Sequence, residues 1–477
     1  METRDIFLNI SPLDHRYYLA NKKLFEELSA YLSEEASIKY CVKVEAALLK
    51  THIILNSHSD KEKLLKEADS LERIIDSEEV YKEEEKTQHN IRALVNVIKK
   101  NVSDSIKPYI HLGATSVDIL DTATSLKIRD VTKNVVLKLL IEIEELLVDI
   151  SSREAETAQV GRTHGQHAVP ITLGFAMAEY VARLGKSIIE IADKSNDLRG
   201  KLSGAVGAYN STSLMVENPS KMEEDTLAYL NLKPSEYSTQ LVEPEYLLRL
   251  LLEMNTAFGI IANLADDLRH LQRSEISEIR EMFTETQVGS STMPQKRNPW
   301  NSEHVKSLWK TFAPRVITFY MDQISEHQRD LTNSASSRFV SDYIAGFCAA
   351  LNRMKKVLST LYVDKATLKK NLSFTGDLVL AEAAYILLSC AGEPDAHEKI
   401  RKITMECEKS GKKLSELLMQ DRNIWDKIDS QLKKTVGIEA AVFFSNPEYY
   451  RGESAIKAKK LSEKYKSEMK KIKEALL

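Results

Sequence analysis

The sequence predicts an all-α protein, and three observations carry that prediction. Residues 13–107 contain neither glycine nor proline, and neither do residues 114–160. Turns in β-rich chains lean on Gly, Pro and Asn, so gaps this long favour helices. Leu250, Met254, Phe258, Ile261, Ala265 and Leu268 recur at spacings of four and three, which lines one face of an α-helix.

Taken in order, the first Gly- and Pro-free stretch reads as a run of helices ending near residues 108–113, where turn formers gather. Residues 135–150 are apolar almost all round, interrupted by Glu142, Glu144 and Glu145. A helix of that kind is normally enclosed by other helices, which points to an extended bundle completed by further subunits. Gly and Pro return at 161–174, 200–207, 219–244, 289–299, 392–394 and 447–452. Loops on a rigid helical scaffold are where chemistry tends to sit. The tail 455–477 is rich in lysine, but Glu463, Glu468 and Glu474 are interleaved, so it reads as a solvated amphipathic helix rather than an RNA-binding arm.

Composition narrows the function classes. Of 477 residues, 43% are hydrophobic and 29% charged, enough to bury a large core, which excludes disorder and a small disulfide scaffold. Sixty-six basic against 70 acidic residues give a net charge of −4, and no electrostatic case for nucleic acid or membrane as a partner. Cys41, Cys348, Cys390 and Cys407 form no CxxC pair and read as ordinary buried thiols. The N-terminus does not read as a signal peptide, and no window reaches the roughly 18 uninterrupted apolar residues of a membrane span. The expectation is a cytoplasmic protein.

Four loops are able to carry chemistry. Residues 289–299, GSSTMPQKRNP, offer hydroxyls on Ser290 and Ser291 and donors on Lys296, Arg297 and Asn298 for a carboxylate or phosphate. They read equally as a basic turn capping the next helix. Residues 161–170, GRTHGQHAVP, set His164 and His167 beside glycines, suited either to proton transfer near neutral pH or to a polar turn between helices. No cysteine or acidic ligand stands at a zinc-like spacing there, so no metal is expected. In 111–118, HLGATSVD, Thr115 and Ser116 present hydroxyls and backbone N–H groups at a helix start, a carboxylate site or a plain N-cap. Arg329 and Arg338 flank a hydroxyl-rich turn that suits a phosphate monoester, or a surface ion-pair cluster.

Together these loops resemble the fumarase/aspartase superfamily, whose pattern G-S-S-x-M-P-x-K-x-N is matched without a gap by residues 289–298. Within it, G-R-T-H-G-Q at 161–166, H-x-G-x-T-S-x-D at 111–118, S-G-A-V-G at 203–207 and S-P-L-D-H-R-Y at 11–17 resemble the adenylosuccinate lyase family, as does the closing segment 447–452. That resemblance implies three helical domains, here 1–110, 111–364 and 365–477, with a central long-helix bundle at the core of a homotetramer. It implies active sites shared by three subunits, no cofactor, and two substrates, adenylosuccinate and SAICAR, each losing fumarate to give AMP and AICAR. By the same resemblance Ser290 is the general base, His164 the general acid with Glu303 behind it, and Lys296 and Asn298 with Thr115 and Ser116 hold the succinyl carboxylates. Ser291 and Met293 belong to the same substrate-binding loop. Arg16, Tyr17, Arg329, Ser334 and Arg338 match phosphate and ribose contacts, while His89, His111 and Gln240 position the substrate. The family's usual Thr-Arg-His-Asp reads Thr87-Gln88-His89-Asn90 here, so Asn90 stands where a carboxylate is common. The rival readings are argininosuccinate lyase, a carboxymuconate cycloisomerase, or a silent helical scaffold.

Overall fold

In a computed structural model, which describes residues 4–56, 59–282 and 291–476, helices dominate and strands are few and short. The elements that position the candidate site are α1 (Glu34–Leu55), α2 (Asn90–Lys100), α3 (Ser116–Val131), α4 (Leu137–Arg153), the strands β1 (Ala158–Thr163) and β2 (Gln166–Thr172), α5 (Leu173–Asn196), α6 (Glu245–Leu271), α7 (Trp300–Phe312), α8 (Val340–Ser359), α9 (Lys365–Phe374) and α10 (Ser454–Leu476).

Local chemistry sets the helix ends. Ser33 caps α1 by accepting from Ala36 N at 3.1 Å, with Glu34 and Glu35 in the first turn facing the helix dipole. His89 caps α2, its Nδ1 accepting from Arg92 N at 3.3 Å, and Lys99 and Lys100 close the far end. Thr172 caps α5 by accepting from Phe175 N at 3.2 Å. Between α3 and α4 the helix continues through a single π-helical stretch, Thr132–Val136, so residues 116–153 run on as one rod.

The largest core gathers α4, α5, α6, α7 and α8 with Tyr465 and Met469 of α10. All six residues of the periodic face on α6 are buried, none more than 2% exposed. By length and composition α6 is the one helix among the described residues apolar enough to cross a membrane, and here that apolar face lies in the bundle. A second core joins α1, α2 and α3, and a third joins residues 379–444.

The three glutamates of the apolar rod divide. Glu142 pairs with Lys355 at 2.7 Å and Glu145 with Lys473 at 2.5 Å, both at the bundle's edge. Glu144 is fully buried, neither carboxyl oxygen has a hydrogen-bond partner among the described residues, and burial pushes its pKa well up. The lysine-rich tail is helical and amphipathic, but one face is not solvated. Tyr465 is buried against Gly185, where any Cβ would meet the ring. Of the cysteines, Cys41, Cys348 and Cys407 are buried and Cys390 is exposed.

The segment 161–174 departs from the expected turn between helices. It is the return of an antiparallel hairpin, with Thr163 paired to Gln166 and Arg162 to His167. His164 and Gly165 form its two-residue turn with φ of 54° and 74°, the left-handed pair that matches the strand twist. Gly161 sits at an irregularity in the ladder, where a Cβ would approach Val169 O to 2.7 Å.

Candidate active site

The most tightly built part is the niche at the start of α3. His111 and Gly113 take φ of 62° and 83°, turning the chain so that Thr115 leads into the helix. Asp118, wholly buried, gathers the surrounding backbone: it accepts from Thr115 N at 2.8 Å and from Ser203 N and Gly204 N at 3.2 Å each. Its ion-pair partner is Lys201, also fully buried, whose Nζ donates as well to Gly204 O at 3.1 Å. Thr122 on α3 ties down the Lys201 backbone through both N and O at 3.0 Å. The half-buried Thr115 and Ser116 are thus fixed at a helix N-terminus, where hydroxyls and N–H groups favour a carboxylate.

His111 is seated on the same platform. Its Nδ1 lies 2.7 Å from Oε1 of the buried Glu45 on α1. Burial acts to lower its pKa, but the hydrogen bond and charge of Glu45, with help from Asp118, outweigh it and the pKa is raised. Beneath it His52 meets Leu112 O at 3.0 Å and stacks on Tyr109, and burial lowers its pKa. His89 and Asn90, both exposed, open α2, and the charge of Arg92 one turn on reaches His111. Asn90 accepts from Ile91 N at 2.8 Å through its side-chain oxygen.

Gln240 and Arg329 come to the same side of α3. Gln240 N donates to Gln328 O at 3.2 Å, and Val242 N to Asp121 at 3.0 Å. Asp121 is pushed up to about 6 by desolvation, moderated by its hydrogen bond from Val242 and by the charges of Lys201 and Arg329. Arg329, at φ 83°, spends part of its guanidinium on its own turn, donating to Gln323 O at 3.0 Å and Ser325 Oγ at 2.8 Å. Ser334 and Arg338 are exposed further along, and Arg338 acts electrostatically on Tyr81 of the segment before His89.

The hairpin carries His164 at its exposed tip. Its rigidity comes from the base, where buried Glu278 takes Arg162 in a bidentate pair at 2.6 and 3.1 Å, Gln159 at 2.7 Å and Asn371 of α9 at 2.9 Å. His167, the second histidine of the motif, is structural: Nδ1 meets Thr375 Oγ1 at 2.7 Å and the ring packs edge-on to Phe374. Burial, then the charge of Arg162, lowers its pKa.

Ser290 lies outside the described residues. Beyond it Ser291, Met293 and Lys296 are exposed and Asn298 is half-buried, leading into α7. Lys296, Asn298 and Glu303 line an open cavity of about 750 Å³ whose lining also includes Arg269, Arg273 and Arg280. Gln272 clamps the loop's base, donating to Arg297 O at 3.1 Å and accepting from Glu281 N at 2.8 Å. Buried Glu281 in turn caps α7 by accepting from Ser302 N at 2.9 Å. Tyr17 reaches the head of α7, its hydroxyl 3.0 Å from His304 Nε2. Burial, then the charges of Arg353 and Arg16, lowers the His304 pKa.

One chain therefore assembles two groups and a separate tip. His111, Thr115, Ser116, Gln240 and Arg329 share the surroundings of α3, while Tyr17 meets His304 of α7, whose titration Arg16 influences, and Glu303 of the same helix lines a cavity with Lys296 and Asn298. Among the described residues, no hydrogen bond or ion pair joins His164 to Glu303, Lys296 or the Thr115 niche, and none of the described His, Cys, Asp and Glu side chains group to hold a metal. Sequence reading missed Glu45, Lys201 and Glu278, and quoted Asp118 without its role. Two signals were present: Glu45 interrupts an apolar run between Val44 and Ala46, and Asp118 stands three residues after Thr115, a capping-box spacing.

The family description "Lyase" matches residues 15–311, and "Adenylosuccinate lyase C-terminal" matches residues 325–438. The chain is 32% identical over 416 residues to the adenylosuccinate lyase of Pyrococcus abyssi, covering 86% of this chain and 90% of that one. It is 32% identical over 425 residues to that of Archaeoglobus fulgidus, covering 87% and 91%. Its fold is similar to a fumarate lyase from Mesorhizobium sp. BNC1, with a TM-score of 0.77 at 20% identity over 92% of this chain and 97% of the other. It is also similar to 3-carboxy-cis,cis-muconate lactonizing enzyme from Pseudomonas putida, at 0.75 and 21% over 93% and 97%. With nearly the whole length matched, the chain belongs to the adenylosuccinate lyase family of the fumarase/aspartase superfamily.

Proposed function

We propose that the protein is an adenylosuccinate lyase that releases fumarate from adenylosuccinate to give AMP, and from SAICAR to give AICAR. The observation that carries this reading is the match to an adenylosuccinate lyase along 86% of the chain, supported by the intact sequence motifs that contain His164, Lys296 and Asn298. Removing a proton beside a carboxylate builds charge on an already anionic group, so the site needs donors fixed in advance. The Thr115–Ser116 niche, with Lys296 and Asn298, supplies them. Ser290 takes the proton, the C–H electrons form the fumarate double bond as C–N breaks, and His164 protonates the departing nitrogen with Glu303 orienting its ring. Arg16, Tyr17, Arg329, Ser334 and Arg338 hold phosphate and ribose, and His89, His111 and Gln240 seat the substrate.

By the family resemblance the reading includes a cytoplasmic homotetramer whose sites draw on three subunits, and the separation of these groups within one chain is in keeping with shared sites. Incubation of the purified protein with adenylosuccinate tests the chemistry, with AMP and fumarate expected in equal amounts. Cleavage of argininosuccinate instead would leave the elimination and remove the nucleotide site. Silence on both would favour a non-catalytic scaffold.

A further inference from the structure

We infer that Glu45 is a positioning residue of the site, fixing the His111 ring as an imidazolium whose outer N–H grips an oxyanion of the nucleotide substrate. This rests on the proposed activity for the identity of the ligand. The dyad itself stands on geometry.

Glu45 is 1% exposed, inside the core formed by α1, α2 and α3. A carboxylate there needs a specific partner, because burying an unpaired charge is costly. Its one hydrogen bond among the described residues is to His111 Nδ1, at 2.7 Å, and Oε2 is buried with no partner. A carboxylate only accepts, so Nδ1 carries the proton, and Nε2 on the opposite edge has no partner among the described residues. An imidazolium then presents Nε2–H outward, the form that binds phosphate or carboxylate oxygens.

The surrounding charges agree. Asp118 faces the ring from α3 and Arg92 from α2, with opposite effects, and Asp118 is already engaged by Lys201. His52, from α1, has its pKa lowered by burial and adds no strong opposing charge. Burial opposes the charged ring, but Glu45 is the dominant charge beside it, and its hydrogen bond and charge outweigh burial, so the His111 pKa is raised. The backbone fits too. A φ of 62° is unfavourable for histidine, so the loop must be held from outside, and it is anchored by Ser211 Oγ on Gly113 O at 2.8 Å and by His52 on Leu112 O.

The test is Glu45→Gln, which keeps shape and removes charge, read in two ways. In protein with ¹³C-labelled histidine rings, the signal absent from His111→Asn reports His111 directly, and in Glu45→Gln it is expected to titrate at lower pH. This readout stands whether or not the protein is a lyase. Calorimetry with AMP and, separately, with fumarate then locates the oxyanion, with affinity at neutral pH expected to fall about tenfold for the ligand His111 contacts. AMP's own phosphate titrates in both proteins and cancels in the comparison. In the His111→Asn background Glu45→Gln should add nothing further. An unchanged His111 titration, or an equal loss of affinity in both backgrounds, overturns the inference. If neither ligand binds the wild type, the functional reading fails while the titration still decides the dyad.

Discussion

The niche around Thr115 and the tip around His164 are built on opposite plans. In the niche the polar groups converge on one buried carboxylate, Asp118, which holds two loops and a lysine at once. At the tip the turn stands in solvent, and its anchor, Glu278, lies back at the base of the hairpin. The difference teaches how one chain divides labour in the proposed reaction. A surface that binds charge already present in the substrate gains from complete preorganisation around it. A proton donor that must reach into a site completed by other subunits is better carried on a stiff arm with an open end.

The largest expected effect comes from breaking the niche. Lys201→Met leaves Asp118 buried without its counter-charge, a loss of about 3–5 kcal/mol. Urea unfolding should show that loss, and turnover should fall with it because Thr115 and Ser116 lose their platform. A variant as stable and active as wild type would mean that the backbone donors alone hold the carboxylate. The arm should respond differently according to where it is cut. His164→Ala touches only the exposed tip, so stability should stay within about 0.5 kcal/mol while kcat falls roughly 10²–10⁴-fold. Glu278→Gln should instead cost about 3 kcal/mol of stability by orphaning Arg162, and reduce kcat through a loosened arm although no reacting group has changed. Equal effects of the two variants on stability would erase the distinction between tip and base.

The same contrast explains what was legible in the sequence. The face of α6 could be read because burying one side of a helix forces a repeat every three or four residues. The hairpin could not, since its strands are short and a His-Gly pair marks a turn without saying what it connects. His164 and the Thr115–Ser116 pair are assigned roles only through family resemblance, since residue types alone leave them ambiguous. The charges that hold them in place were hidden for a simpler reason: each meets its partner far along the chain. Glu45 and His111 are 66 residues apart, Asp118 and Lys201 83, and Arg162 and Glu278 116. A local pattern records that a charge interrupts an apolar run, but only folding reveals what neutralises it.

The smallest effects sharpen the comparison most, because they compare two glycines of equal backbone demand. Gly113 and Gly165 have φ of 83° and 74°, both left-handed, so alanine at either carries a conformational cost of about 1 kcal/mol. At Gly165 an added Cβ has nothing within 4 Å among the described residues, and that cost is the whole effect expected. At Gly113 it would stand 2.6 Å from Met215 Cε and 3.0 Å from Thr212 Cγ2. Met215 is able to swing aside, but the β-branched Thr212 is stiff, so overpacking should add about 1–2 kcal/mol. Denaturant unfolding of the two alanine variants should therefore rank Gly113→Ala as the more damaging, and only that variant should also weaken succinate binding at the Thr115 niche. If Gly165→Ala were the worse of the two, the tip would have to pack against something in the assembled protein, and the picture of an arm with an open end would give way to one of a tip docked between subunits.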